Sequence, residues 1–164
     1  MIAMANIQES ILISCKREKV WECLEQAGQL EFFHPFCQVN KPLLWNDSEE
    51  KIDEIIYLSN LTYKRVFVEW NQDNFTLFIH KDEKAIAKVS WFIQEKQNQS
   101  EVKIVIKPKA NSFILRIIYP LLVPLYLKPK LKQYLKSVLT GLKYYIDNKQ
   151  PTPRNILGKH PWYS

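Results

Sequence analysis

Between Gln38 and Lys109 apolar side chains recur at about every second position, in successive runs separated by short polar stretches. A period of two puts one face of each run in a core and the other in water, so the runs predict strands near 38–45, 52–59, 62–70, 74–81, 85–95 and 100–108. The separators are Asn46-Asp47-Ser48, Ser59-Asn60, Asn71–Asn74, Lys81–Lys84 and Lys96–Gln99. Connections this short join neighbouring strands, which makes an antiparallel meander the natural topology. Beyond Pro108 the period changes. Over 130–149 the residues Leu131, Tyr134, Leu135, Val138, Leu142, Tyr145 and Ile146 form one helical stripe, with Lys132, Lys136 and Lys143 mostly off it.

The segment before the meander is mixed. Ile7, Ile11 and Ile13 predict a strand over 6–14, followed by a helix over 16–27 capped by Ser14 or Cys15 and stopped by Gly28. A short helical turn through Leu30–Phe33 ends at His34-Pro35, because Pro disfavours helical geometry in the residue before it. Residues 1–149 form the expected domain. The tail 150–164 has three prolines and a glycine, yet carries Ile156, Leu157, Trp162 and Tyr163, which predicts an extension packed on the body.

With 46% apolar and 24% charged residues, the 164-residue chain has ordinary globular composition, which excludes wholesale disorder. Three glycines are too few for glycine-rich phosphate loops. Cys15, Cys23 and Cys37 are odd in number and lack metal-ligand spacing, so they suggest neither a disulfide framework nor zinc. Free thiols fit a reducing compartment, and the expected location is cytoplasmic. Leu12-Ile13-Ser14-Cys15 has the look of a lipoprotein cleavage box, but no Lys or Arg precedes it and Glu9 interrupts the apolar stretch. The abundance of Lys, Ile and Asn points to an AT-rich bacterial genome.

Charge is unevenly spread. Residues 1–106 carry 12 Lys/Arg and 16 Asp/Glu, a balance of −4, while residues 107–164 carry 11 Lys/Arg against Asp147 alone, a balance of +10. A basic third of this kind is either a solvated lysine face or a surface for an anionic partner. The apolar run Phe113–Leu127 holds Arg116, Pro120 and Pro124 and is too short and too interrupted to span a bilayer. It suits either a cap over a pocket or a peripheral contact with an anionic membrane. The lysines lack the aromatic partners of nucleic-acid modules, so no nucleic acid is expected.

Certain stretches resemble a known family. Ser14-Cys15-Lys16-Arg17-Glu18-Lys19-Val20-Trp21, the block Phe33-His34-Pro35-Phe36-Cys37, the strand Leu61–Trp70 and the tail Pro153–Gly158 are similar to those of START-like (SRPBCC, polyketide cyclase/dehydrase) proteins. The resemblance covers nearly the whole chain, but its motifs are structural and none is a catalytic signature. It implies an α+β helix-grip fold: a curved antiparallel sheet of about seven strands wrapped over the long C-terminal helix, with two short helices after strand one. It also implies an apolar cavity holding a lipid, isoprenoid or polyketide-like molecule, and no cofactor.

Within that frame the candidate ligand-binding residues are His34, Tyr63, Arg65, Phe67, Trp91, Leu135 and Leu142. His34, Tyr63 and Arg65 would orient a polar end, Arg65 by its bidentate donors; the others would line the apolar part. On strand 62–70, Tyr63, Arg65, Phe67 and Glu69 share one face, and alternation leaves open whether that face points inward. Tyr57, Phe78 and Phe92 are further wall candidates, while Glu49-Glu50 and Asp53-Glu54 read as a surface acidic cluster. His80 is expected to be exposed, and His160 lies in the tail. Three histidines without paired spacing make a metal site unsupported. The leading expectation is a non-catalytic carrier or sensor. The alternatives are a cyclase or dehydratase in which His34 or Tyr63 moves protons, and a membrane interaction module.

Overall fold

Seven antiparallel strands form one sheet in the order β1-β7-β6-β5-β4-β3-β2, in a computed structural model that describes residues 6–46, 50–109 and 113–164. The strands are β1 (Ile7–Ile13), β2 (Cys37–Trp45), β3 (Lys51–Tyr57), β4 (Thr62–Trp70), β5 (Asn74–Lys81), β6 (Lys84–Lys96) and β7 (Gln99–Pro108). Strands β2 to β7 follow one another as the meander that period-two patterning predicts, and β1 completes the sheet by pairing with β7, Ile7 opposite Ile106 and Ile13 opposite Ser100. Asp47, Ser48 and Glu49, named above in a connection and an acidic pair, lie outside the described residues.

Helices α1 (Arg17–Leu24) and α2 (Leu30–Phe33) separate β1 from β2. Ser14 and Cys15 do not cap α1: Lys16 takes that position, and no side chain bonds the first turn. The helix also stops at Leu24 rather than at Gly28, because the Gln29 side-chain amide donates to the Leu24 carbonyl at 2.9 Å and replaces the next turn. Gly28 serves the following turn instead, with φ of +75°.

The C-terminal helical region begins earlier than the stripe suggests. Helix α3 (Phe113–Leu122) leads through a π-helical stretch, Val123–Leu127, into α4 (Lys128–Asn148). Pro124 supplies no N–H to an α-helical ladder, and a wider turn passes it without breaking the rod. Helix α4 lies against the concave face and packs on β1, α1 and α2. Its approach to α2 requires Gly141, where an added Cβ would stand 2.2 Å from the Phe33 carbonyl oxygen.

Irregularities bend the sheet around α4. Register shifts occur twice in β2, between Phe67 and Glu69 in β4, and between Ile79 and His80 against β6. The β4 bulge settles which way that strand faces. Tyr63, Arg65 and Phe67 point inward, and the extra residue then turns Glu69 out and brings Trp70 in against Trp21 at 5.0 Å. Strict alternation therefore misplaces Glu69.

Candidate functional site

Residues of α2, β3 and α4 meet at one end of the space between sheet and helix. The hydroxyls of Tyr57 and Tyr134 are 3.1 Å apart, and Tyr134 Oη is 2.9 Å from Nε2 of His34. His34 ends α2, where Pro35 turns the chain back so that the Phe36 amide donates to His34 Nδ1 at 3.2 Å. An amide N–H only donates, so Nδ1 holds a lone pair and Nε2 carries the proton that goes to Tyr134. Burial, with the Arg65 and Arg154 charges adding to it, pulls the His34 pKa down to about 3. Burial pushes Tyr134 up to about 12 and Tyr57 well above the usual phenol range. All three side chains are neutral at ordinary pH.

Arg65 completes this polar end, but not as a free guanidinium. Its Nε donates to Asp53 Oδ1 at 2.7 Å and its Nη2 donates to Oδ2 of the same carboxylate. Burial works against the Arg65 charge, and the Asp53 charge and hydrogen bonds outweigh it, so the pKa moves upward. Asp53 is fully buried and also accepts from Asn40 Nδ2 at 2.9 Å, while Asn40 Oδ1 accepts from the Leu30 amide. The expectation that Asp53 belongs to a surface cluster is thus corrected. The inward parity of β3 carries Lys51, Asp53, Ile55 and Tyr57 together into the interior.

Around these groups the sheet and α4 enclose a cavity of about 240 Å³. His34, Tyr63, Arg65, Trp91 and Leu135 all stand in its wall, which is otherwise mostly aliphatic. Phe67 and Leu142 do not. Phe67 fills a separate aromatic cluster with Trp45, Trp70 and Phe75, at ring separations of 5.4, 5.1 and 6.0 Å. Leu142 is fully buried beyond the wall residue Val138, next to Gly141, where α4 closes against α2. Phe78 and Phe92 sit on the outer face beneath Lys109 and Lys103. Pro108 and Leu127 reach the wall too, so the apolar run contributes its last residue to the cavity.

The wall includes residues that pattern reading passed over. Tyr134 sat in the helical stripe as a core residue. Trp162 and Tyr163 come from the tail, which folds back so that Tyr163 lies 4.5 Å from the Tyr57 ring and 4.7 Å from Tyr134. His160 is buried beside them, stacked on Tyr163 at 4.9 Å. A signal existed for this pairing. His-Pro-aromatic occurs twice, at 34–36 and 160–162, and in each the aromatic amide donates to the histidine Nδ1 at 3.2 Å. His160 then uses Nε2 on the Lys130 carbonyl at 3.0 Å, and the two motifs touch through Phe36 and His160 at 5.7 Å. Among the described residues no cluster of His, Cys, Asp or Glu is arranged to hold a metal ion.

No family model and no curated protein matches the sequence. Solved structures do. The di-domain ARO/CYC protein StfQ of the steffimycin pathway superposes with a TM-score of 0.70 at 11% identity, covering 88% of this chain and 51% of that one. A protein of the dynemicin biosynthetic locus gives 0.65 at 7% identity, over 92% of this chain and 50% of that one. An uncharacterised protein from Bacillus thuringiensis gives 0.62 at 16% identity, over 88% of this chain and all (100%) of its own. Identities this low speak to architecture, and the architecture is common to all three: this chain has the helix-grip fold.

Proposed function

We propose that the protein binds a hydrophobic small molecule between the sheet and α4 and acts as a carrier or sensor. The observation that carries this is the cavity of about 240 Å³, aliphatic over most of its wall and polar where His34, Tyr57, Tyr63, Arg65 and Tyr134 converge. Small-molecule sites combine these properties. The volume lies below the usual range of roughly 300–1,000 Å³ for drug-sized ligands, which favours a compact ring system or a short isoprenoid over a whole sterol. Native mass spectrometry of the purified protein, followed by organic extraction, tests the reading. A co-purifying apolar molecule is the expected result. An empty protein whose melting temperature no member of a lipid, isoprenoid and aromatic polyketide panel raises would refute it.

The rival is a cyclase or dehydratase, which the ARO/CYC description of StfQ favours. The state of the polar groups weighs against it. His34 has its Nδ1 occupied and its Nε2 protonated, and burial raises the Tyr63 phenol as well as Tyr57 and Tyr134. Such groups donate hydrogen bonds but do not exchange protons readily near neutral pH. Loss of turnover on a poly-β-ketone substrate after single substitution of His34 or Tyr63 would decide for the enzyme.

A peripheral contact with an anionic bilayer is compatible with the carrier reading. Ile117, Leu121, Leu125 and Tyr126 are each at least half exposed along the region from α3 to the start of α4, and Lys128, Lys132 and Lys136 follow on exposed positions. A second copy of the chain on this face would set lysines against lysines, whereas anionic headgroups complement them. Among the described residues no helix is long and apolar enough to cross a membrane. Co-sedimentation with phosphatidylglycerol vesicles, weakened by salt and by Leu121→Ser with Leu125→Ser, is the expected outcome. Equal recovery with and without vesicles would exclude the contact.

A further inference from the structure

The proposal of a hydrophobic ligand leaves its chemical class open, and the hydrogen-bond directions at the polar end restrict it. The Phe36 amide fixes the His34 proton on Nε2, and that proton goes to Tyr134 Oη. Two hydroxyl protons remain on Tyr134 and Tyr57. One closes the 3.1 Å contact between them. The other has no partner among the described residues, and both hydroxyl-bearing side chains stand in the cavity wall. Polar groups away from water keep their bonds, so a buried donor of this kind calls for an acceptor on the ligand.

Charge narrows the class further. Arg65 is the one charged side chain in the described wall, and its Nε and Nη2 are committed to Asp53. The pair is neutral as a unit. A carboxylate or phosphate on the ligand would meet no uncompensated cation and would lose its hydration. The polar side chains of the wall are a histidine, tyrosines, an arginine and the two tryptophans Trp91 and Trp162, all carrying N–H or O–H groups, with no carboxylate among them.

We propose that the Tyr57–Tyr134 pair is a directed donor that selects a neutral, apolar ligand bearing an acceptor oxygen, such as a ketone carbonyl, over an anion. The inference rests on the hydrophobic-ligand reading, and a matched series of bicyclic probes separates the two. 1-Tetralone carries the carbonyl, tetralin lacks it, and 1-naphthoate replaces it with a charge. Titration calorimetry with the whole chain should give tetralone about tenfold tighter binding than tetralin, the size of one well-made buried hydrogen bond. Naphthoate should bind more weakly than tetralone. The double substitution Tyr57→Phe with Tyr134→Phe should bring tetralone down to the level of tetralin.

Equal binding of tetralone and tetralin, tighter binding of naphthoate, or an unchanged preference in the double variant overturns the inference while leaving the hydrophobic-ligand reading in place. If none of the three probes binds, the inference falls, and the lipid, isoprenoid and polyketide panel decides the hydrophobic-ligand reading by itself. The infrared carbonyl band of tetralone bound to the unmodified protein gives a readout independent of the variant's folding. A donor at the pair lowers its frequency from the value in hexane, and a band at the hexane position overturns the inference.

Discussion

Asp53 and Arg65 stand directly opposite each other across β3 and β4, and the carboxylate takes two hydrogen bonds from the guanidinium in the protein interior. Cross-strand register thus decides the electrostatics of the cavity: the cation is neutralised within the fold itself. Removing one member of such a pair leaves the other charged and buried, at a cost of about 3–5 kcal/mol. Asp53→Asn is therefore expected to lower unfolding free energy by about that much in urea titration. The paired replacement Asp53→Leu with Arg65→Met should recover most of the loss. A loss below about 1 kcal/mol in Asp53→Asn would mean that water reaches the pair.

His34 makes stability depend on pH in a defined window. Its folded pKa of about 3 lies below the ordinary 6.5, so the unfolded chain binds the proton more readily. The contribution is intact above pH 6.5 and is lost as pH falls towards 3, with a slope of up to about 1.4 kcal/mol per pH unit from this group. His160, lowered by burial, acts in the same direction. His34→Gln keeps a donor for Tyr134 but does not titrate. The difference in unfolding free energy between the two proteins should shift in the variant's favour on acidification, and parallel pH curves would contradict the burial of His34.

Gly141 is expected to tolerate no side chain, although it sits in a helix where alanine is the better former by about 1 kcal/mol. Its Cβ position is 2.2 Å from the Phe33 carbonyl oxygen and 3.0 Å from Pro35 Cδ. Gly141→Ala should push α2 off α4 and lower stability by about 1–3 kcal/mol, the range for overpacking. Unchanged thermal unfolding would show that α2 moves freely.

Ala87 offers a way to fill the cavity from the sheet side, since it lines the wall on β6 opposite Ile79 and Pro108. Ala87→Trp should weaken tetralone binding at least about tenfold, equivalent to about 1.4 kcal/mol. Circular dichroism should remain that of the parent. Undiminished affinity would place the ligand elsewhere.

The fold was legible because its signals are local. Period two survives through β3, β7 and the middle of β6, and the stripe through Leu131, Leu135 and Val138 marks the residues that face the sheet. Legibility failed where one extra residue or one distant partner decides. The β4 bulge turns Glu69 out and Trp70 in, and alternation contains no trace of it. Asp53 resembles a surface acid until its opposite number is known to be Arg65. Phe67 has the right face but the wrong end of the strand, because aromatic rings from β2, β4 and β5 occupy the space beside it. Tyr163 enters the site only because the tail doubles back across α4, a contact set by the His160 cluster and not by any periodicity.

The tail is attached by few backbone hydrogen bonds to the body, among them Thr152 to Phe32 and Asn155 to Pro35, whereas the sheet is zipped along every shared strand edge. Parting two strands would break a ladder of bonds; lifting Trp162 and Tyr163 breaks ring contacts and the Ser59 bond to the Trp162 carbonyl. The sheet is thus held by backbone ladders, and the end of the tail by ring packing with a few side-chain bonds, the 3.0 Å contact of His160 with the Lys130 carbonyl among them. On the carrier reading proposed above, a ligand would enter where Trp162 and Tyr163 meet the cavity wall, by local opening there and not by parting strands.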